Sequence, residues 1–310
     1  MTPSHPAQTA CKVCGAQTRF VLSAPNEHRS PPTLETRRCP RCGLVQVATP
    51  VTQRDLELAY AAMGPQTYYQ ETAEASREKF QKAADELLRL AALGPQARLL
   101  DVGCGNGEFL DVLRRRGIDA SHLAGQELPG ESARLARSRG FAVHEQPFEE
   151  LARDGPESFD VVALMDVAEH VADPLALFEA CWRLLKPGGL LYAHTPCVSR
   201  LDRLMHAVAR WPVLGGVARL WQRTRTSIFH LQNFTPASLR LCLRRFEKIE
   251  VAVRNELSWP LALYARIYVC ERIGLPARLA PVLALLLRPI LHSRRLNANK
   301  GVVRARKPGP

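Results

Sequence analysis

The stretch Arg98-Leu-Leu-Asp101-Val-Gly103-Cys104-Gly105-Asn-Gly107-Glu-Phe-Leu110 constrains this chain most. An apolar run ends in an acid, three glycines follow at alternate positions, and a helical pattern opens directly after them. Glycines let the backbone turn sharply and approach a ligand with no Cβ in the way. A buried strand, such a turn and a helix, in that order, form the corner of a nucleotide-type cofactor site. The spacing departs from the G-x-G-x-x-G of dinucleotide binders, because the third glycine comes one residue early. That disfavours a nicotinamide dehydrogenase.

From residue 97 onward strand and helix patterns alternate. Strands are expected at Ala97–Val102, His122–Glu127, Phe141–His144, Phe159–Met165 and Leu190–Thr195. Helical patterns fall at Glu108–Arg116, Glu131–Arg139, Phe148–Ala152 and Pro174–Leu185, and Lys186-Pro-Gly-Gly189 reads as a stop. This alternation predicts an α/β fold with a doubly wound, mainly parallel sheet. Ligands of such sheets lie at the carboxyl ends of the strands. Glu127, at the end of the second strand, can accept both hydroxyls of a ribose, and Leu164-Met165-Asp166-Val-Ala-Glu-His170 ends the fourth on the same edge.

Ahead of this region, four of the nine cysteines form two pairs, Cys11-Lys-Val-Cys14-Gly and Cys39-Pro-Arg-Cys42-Gly. C-x-x-C-G is a metal knuckle: two thiolates across a tight turn, with a glycine that lets amides face sulfur. Two knuckles make a closed tetrahedral site, so Cys11, Cys14, Cys39 and Cys42 are expected to hold a structural Zn2+ in a small N-terminal zinc ribbon. The metal would supply stability that so small a core cannot. Residues 1–50 then form the ribbon and 51–96 a connector. The connector contains a short helical pattern at Asp55–Ala62, a break at Gly64-Pro65, the pair Tyr68-Tyr69, and a long helix over Glu71–Leu93. Residues 97–310 form the main domain.

Charge is uneven. Residues 1–180 hold 19 Lys/Arg against 25 Asp/Glu, whereas residues 181–310 hold 23 against 5. A basic portion of that size suits an anionic partner. Residues 196–234 interrupt the strand–helix rhythm and are basic and aromatic, including Arg200, Arg203, Arg210, Trp211, Arg219, Trp221, Arg223, Arg225 and His230. Residues 256–296 are helical and apolar, punctuated by prolines. Their greasiest stretch, Leu279–Leu291, contains Pro281, Arg288 and Pro289 and is too short for a transmembrane helix. The start Met1-Thr-Pro-Ser-His lacks the pattern of a signal peptide. The expected location is cytoplasmic, with the stretch beside Arg288, His292, Arg294 and Arg295 suited either to the inner face of an anionic membrane or to packing on protein.

Leu100–Gly107, Phe159–Val162, Glu169–Pro174, Arg183–Gly189 and Thr195-Pro196 together resemble class I S-adenosylmethionine-dependent methyltransferases, and among them the ubiquinone-biosynthesis O-methyltransferase-like group. The resemblance covers about residues 97–255. It implies a seven-stranded Rossmann-like sheet whose last strand, Gly301–Arg306, is inserted antiparallel beside the fifth, with Glu247–Val253 as the sixth and 256–296 as a helical insertion. It implies S-adenosylmethionine (SAM) as cofactor. Gly103, Cys104, Gly105 and Gly107 would lie against it, with Asp101 at its amino-acid end and Glu127 on the ribose. Leu128 and Phe148 would flank the adenine, and Met165 and Asp166 the sulfonium. The ribbon prefix, Tyr68-Tyr69 and His230-Leu-Gln-Asn-Phe234 resemble a bacterial subgroup linked to modification of sugars and envelope glycans.

Methyl transfer is an in-line displacement in which the protein positions the acceptor and, where needed, removes a proton. His170, His194 and His230 are the candidate bases. The favoured acceptor is an anionic small molecule or glycan, such as a nucleotide- or lipid-linked sugar whose phosphates meet the Arg-rich segment 196–234. RNA, a quinone or other lipid, and a non-catalytic cofactor-binding scaffold are the alternatives. The chain shows no RNA-binding module, which disfavours nucleic acid. The oligomeric state is not legible in the sequence.

Overall fold

A strand buried on both faces needs a near-continuous apolar run, and Phe159-Asp-Val-Val-Ala-Leu-Met165 supplies one: six of its seven residues are buried. The computed structural model describes residues 9–26, 31–52, 54–55, 65–91, 96–209, 211, 215–216, 218, 221, 225, 229–256, 261–266, 270 and 275–309; for 65–75, 91 and 263–264 it describes the backbone alone. Residues 56–62 of the helix expected at Asp55–Ala62 and the side chains of Tyr68 and Tyr69 lie outside these, as do Arg210, Arg219 and Arg223.

The strands are β1 (Arg19–Pro25), β2 (Thr33–Arg38), β3 (Val45–Val47), β4 (Leu99–Val102), β5 (Leu123–Gln126), β6 (Ala142–His144), β7 (Phe159–Met165), β8 (Leu185–Pro196), β9 (Gln232–Asn233), β10 (Glu247–Arg254) and β11 (Lys300–Arg306). The chain divides into two compact units. The first gathers residues 1–73, 196–238 and 253–300, and the second 74–195, 239–252 and 301–310.

In the second unit a seven-stranded sheet runs β10-β11-β8-β7-β4-β5-β6. The pairs β4·β5, β4·β7, β5·β6 and β7·β8 are all parallel. The amide of Lys307, past the end of β11, reaches the Gly189 carbonyl near the start of β8 (2.9 Å), so β11 runs antiparallel to β8. This is the strand order and orientation that the resemblance implied. Lys186–Gly189 is a bulge rather than a stop. Phe159 pairs with Leu185, and pairing resumes between Val161 and Leu190. A Cβ on Gly189 would come within 2.8 Å of the Lys186 carbonyl, which is why glycine closes the bulge. The long helix starts at Pro65 rather than Glu71 and runs Pro65–Ala91, because proline lacks only an amide that the first helical turn leaves unpaired. Ala83, Ala84 and Leu87 of that helix pack with Phe109, Leu110 and Leu113 into the core under the sheet.

The first unit is built on a four-stranded sheet, β1-β2-β3-β9. Its fourth strand comes from the basic-aromatic segment: Val45 pairs with Asn233 and Gln46 with Gln232. Buried Gln46 also ties the first knuckle to the sheet, accepting from the Lys12 amide (3.0 Å) and donating to the Ala10 carbonyl (3.0 Å). Thr235 Oγ donates to the Cys42 carbonyl (2.5 Å). A Cβ on Gly43 would meet the Thr235 methyl at 2.9 Å. The helix Ala280–Leu291 packs on Leu261–Ala265 through Ala280 and Ala284. Among the described residues no helix is long and apolar enough to cross a membrane.

Candidate active site

The carboxyl edge of the second unit's sheet brings together the residues expected at a cofactor. The amides of Gly103 and Cys104 both reach the Gln126 carbonyl (2.8 and 3.0 Å), which folds the glycine turn over the end of β5. Gly103 has φ +68°, and a Cβ there would lie 2.7 Å from Val167. Cys104 turns its thiol inward against Gly125, where a Cβ would come within 2.4 Å of the sulfur. Burial raises the Cys104 thiol pKa above the usual range, so this residue offers the turn its backbone and not a nucleophile.

Asp101, next to last in β4, is only 2% exposed, and its Oδ1 has no hydrogen-bond partner among the described residues. Its pKa is pushed well above the carboxylate range, first by burial and then by the charge of Glu127, against the pull of Lys79. A buried, unsatisfied carboxyl oxygen is costly unless a ligand completes it. Glu127 accepts from the Gly105 amide (2.8 Å) and the Leu128 amide (3.0 Å), which fixes it beside the turn. Burial raises its pKa. Leu128 stands 55% exposed beside it, and the Gln126 side chain holds the Gln146 carbonyl (3.1 Å) of the turn leading to half-buried Phe148. An exposed leucine next to a fixed acid gives the edge both a polar and an apolar contact surface.

At the end of β7, Met165 is buried and Asp166 takes a left-handed conformation, φ +60°. A non-glycine residue persists there only when its surroundings over-determine it. Three contacts do so: the Asp166 amide donates to the His194 carbonyl (2.8 Å), Oδ1 pairs with His194 Nδ1 (2.9 Å), and Oδ2 accepts from Lys79 Nζ (2.7 Å). His194 is itself buried. His170 lies 4.0 Å from Glu169, which accepts from the Thr195 hydroxyl (3.0 Å). His230 belongs to the first unit, two residues before β9 and half-buried.

Sequence reasoning missed Lys79. Its signal was a cation four residues before Ala83, on the side of the helix that also carries buried Glu86 and Leu87. Glu86 was missed as well. It accepts from the Tyr192 hydroxyl (3.1 Å) and pairs with Arg304.

In the first unit the four knuckle sulfurs all lie within 4.8 Å of one another. Cys11 and Cys42 are 3.6 Å apart and Cys14 and Cys39 3.5 Å, with no disulfide among them. A tetrahedral ion with ligands about 2.3 Å away needs sulfurs at about 3.8 Å. The Cys42 amide points at Cys39 Sγ (3.4 Å), as a knuckle requires. Cys11 is lowered to about 5, chiefly by the hydrogen bond from Cys42, and that bond together with burial raises Cys42. The four sulfurs are thus spaced as a tetrahedral ion would need them.

Fold and edge together define a SAM-dependent methyltransferase. The chain belongs to the methyltransferase-domain family, whose model matches residues 75–247. Ubiquinone biosynthesis O-methyltransferase of Xanthomonas campestris pv. campestris is 40% identical over 162 residues, 49% of this chain and 63% of that protein. The Xylella fastidiosa protein of the same name is 40% identical over 105 residues, 32% of this chain and 42% of its own length. The chain thus spans less than two thirds of the relatives it matches. A candidate sarcosine dimethylglycine methyltransferase from Galdieria sulphuraria has the same fold, with a TM-score of 0.50, 18% identity, and 76% and 88% of the two chains covered.

Proposed function

We propose that this enzyme methylates an anionic small-molecule or glycan acceptor, with nucleotide- or lipid-linked sugars of the cell envelope as the favoured class. The carrying observation is where the charge lies. The first unit, which holds the segment 196–238, has 21 Lys/Arg against 8 Asp/Glu, a balance of +13; the second has 21 against 22, a balance of −1. Arg200 and Arg203 of that segment are exposed, which suits a phosphate-bearing acceptor. Arg225 is already committed to Asp202 and the Cys197 carbonyl and does not belong to that set.

The edge fits SAM on two counts: an Asp101 oxygen without a partner among the described residues, and a tight turn in which Gly103, Gly105 and Gly107 all take positive φ. When bound, SAM supplies an electrophilic methyl group on a sulfonium. In this reading Asp101 accepts from the ammonium of the amino-acid end and Glu127 holds the ribose hydroxyls. The backbone of Gly103, Cys104, Gly105 and Gly107 approaches closely, Leu128 and Phe148 cover the adenine, and Met165 and Asp166 face the reacting centre. His194 is the base that its surroundings support best. Its Nδ1 lies 2.9 Å from Asp166 Oδ1, the kind of contact by which a carboxylate orients a histidine base. His170 and His230 are the other two.

The test is incubation of the full chain with methyl-labelled SAM and separate nucleotide-sugar, lipid and RNA fractions. Label in the sugar fraction is expected, and label confined to RNA would overturn the reading. Label in a phenolic lipid would favour the second reading, quinone O-methylation, to which the names of the Xanthomonas and Xylella relatives point. We also propose that the four thiols hold a structural Zn2+. Metal analysis should give one zinc per chain, lost together when any of the four cysteines becomes serine. Full zinc content in Cys39→Ser would exclude this assignment.

A further inference from the structure

The helix Ala280–Leu291 has two unlike faces. At about 100° per residue, its buried residues Ala280, Ala284 and Leu291 fall within an arc of about 40°. Val282, Leu285, Leu286, Pro289 and Ile290 occupy an opposite arc of about 140°. That second arc is exposed: Val282 by 56%, Leu285 and Leu286 by 67% each, and Ile290 by 41%. Leu279 and Leu296 continue the apolar surface beyond the helix ends. A contiguous apolar patch of this kind, unlike scattered surface leucines, marks something that covers it.

Its rim identifies the cover. Arg288 and His292 fall beside the exposed arc on one flank, and Arg278, Arg294 and Arg295 are exposed at the two ends. From residue 272 to the last residue the sequence holds nine Lys/Arg and no Asp/Glu. A second copy is a poor occupant. A two-fold contact places the same patch against itself, which would bring Arg288, Arg294 and Arg295 of both copies together with no acid of this segment to offset them. An anionic lipid surface satisfies both features, since acyl chains take the leucines and headgroup phosphates take the arginines. The helix is about 18 Å long against a hydrocarbon core of about 30 Å, so it lies in the plane of the interface and does not cross it.

We infer that the helix Ala280–Leu291 docks the protein on an anionic phospholipid surface, with Val282, Leu285, Leu286 and Ile290 inserted and Arg278, Arg288, Arg294 and Arg295 at the headgroups. The inference is independent of the acceptor, because none of these residues belongs to the cofactor edge. It is tested by flotation of the full chain with vesicles of equal parts phosphatidylglycerol and phosphatidylcholine, and with phosphatidylcholine alone. Wild type floats with the anionic vesicles only, and less so as salt is raised. The double variant Leu285→Glu and Leu286→Glu replaces exposed side chains, so it keeps its thermal transition and SAM affinity while its vesicle partitioning falls at least about tenfold. Replacing Arg288, Arg294 and Arg295 by glutamine lowers partitioning and flattens its salt dependence. The inference is overturned if wild type stays at the bottom of the gradient, or if the double glutamate variant floats as well as wild type. It is equally overturned if light scattering shows a dimer that this variant abolishes and no vesicle binding.

Discussion

Asp101 and Asp202 are buried to nearly the same degree, 2% and 3% exposed, yet their surroundings treat them in opposite ways. Asp202 opens the helix Arg200–Val208 in a reciprocal cap with Ser199, whose amide and hydroxyl it accepts (2.7 and 2.8 Å). It also accepts from Trp221 Nε1 (2.7 Å) and Arg225 Nε (3.0 Å). Burial alone would push its pKa up, but the charge of Arg225 and these donors outweigh that and hold it below the usual range. Asp101 has an unsatisfied oxygen and a raised pKa. Burial alone therefore does not set the charge state of these two acids; the completeness of the partner set does.

The comparison can be broken at either residue. Asp202→Ala leaves the half-buried Arg225 without its carboxylate and removes one half of the reciprocal cap, so it should destabilise by about 2–4 kcal/mol. Denaturant unfolding measures this, and a loss below about 1 kcal/mol would mean that the set is not a structural unit. Asp101→Asn should act on binding instead. SAM affinity should weaken by about 1.5–3 kcal/mol, roughly 10- to 100-fold, by calorimetric titration, with no loss of stability.

The smallest effect is in the pH dependence, where the signs are opposite. Asp101 keeps its proton to higher pH when folded than when unfolded. Its contribution to stability is complete below about 3.8 and is lost as pH rises toward its native value. Asp202 has a depressed native pKa, so its contribution is present above about 3.8 and disappears as pH falls through that native value. Denaturant midpoints across acid pH should therefore show Asp101→Asn gaining on wild type as pH rises, and wild type losing its advantage over Asp202→Ala as pH falls. Parallel curves would sink the distinction.

What was legible in the sequence was local. The turn Asp101–Gly107 announces itself because positive φ and close approach demand glycine within a few positions. The paired cysteines do so because a knuckle is four residues long. The sheet order followed from alternation and the resemblance. Lys79, Glu86 and the Asp202–Trp221–Arg225 set were not legible, because each depends on side chains far apart in the chain meeting only after packing. Arg225 is the instructive case. Sequence context offered it as a phosphate ligand, whereas its fork is occupied by an internal carboxylate and a carbonyl. Gly125 was passed over because an isolated glycine in a strand says nothing until the Cys104 sulfur is seen against it.

The pairing of β3 with β9 has a consequence for biosynthesis. The knuckles and the first three strands emerge early, but Val45 and Gln46 meet their partners only after residues 74–195 have been made. At ordinary translation rates that interval is on the order of ten seconds. Throughout it the outer edge of β3 presents open amides and carbonyls, the kind of edge that recruits foreign strands. Metal capture by the four thiols can order the early module during this wait, but cannot close its edge. A nascent chain stalled before residue 232 would leave this edge open to misassociation.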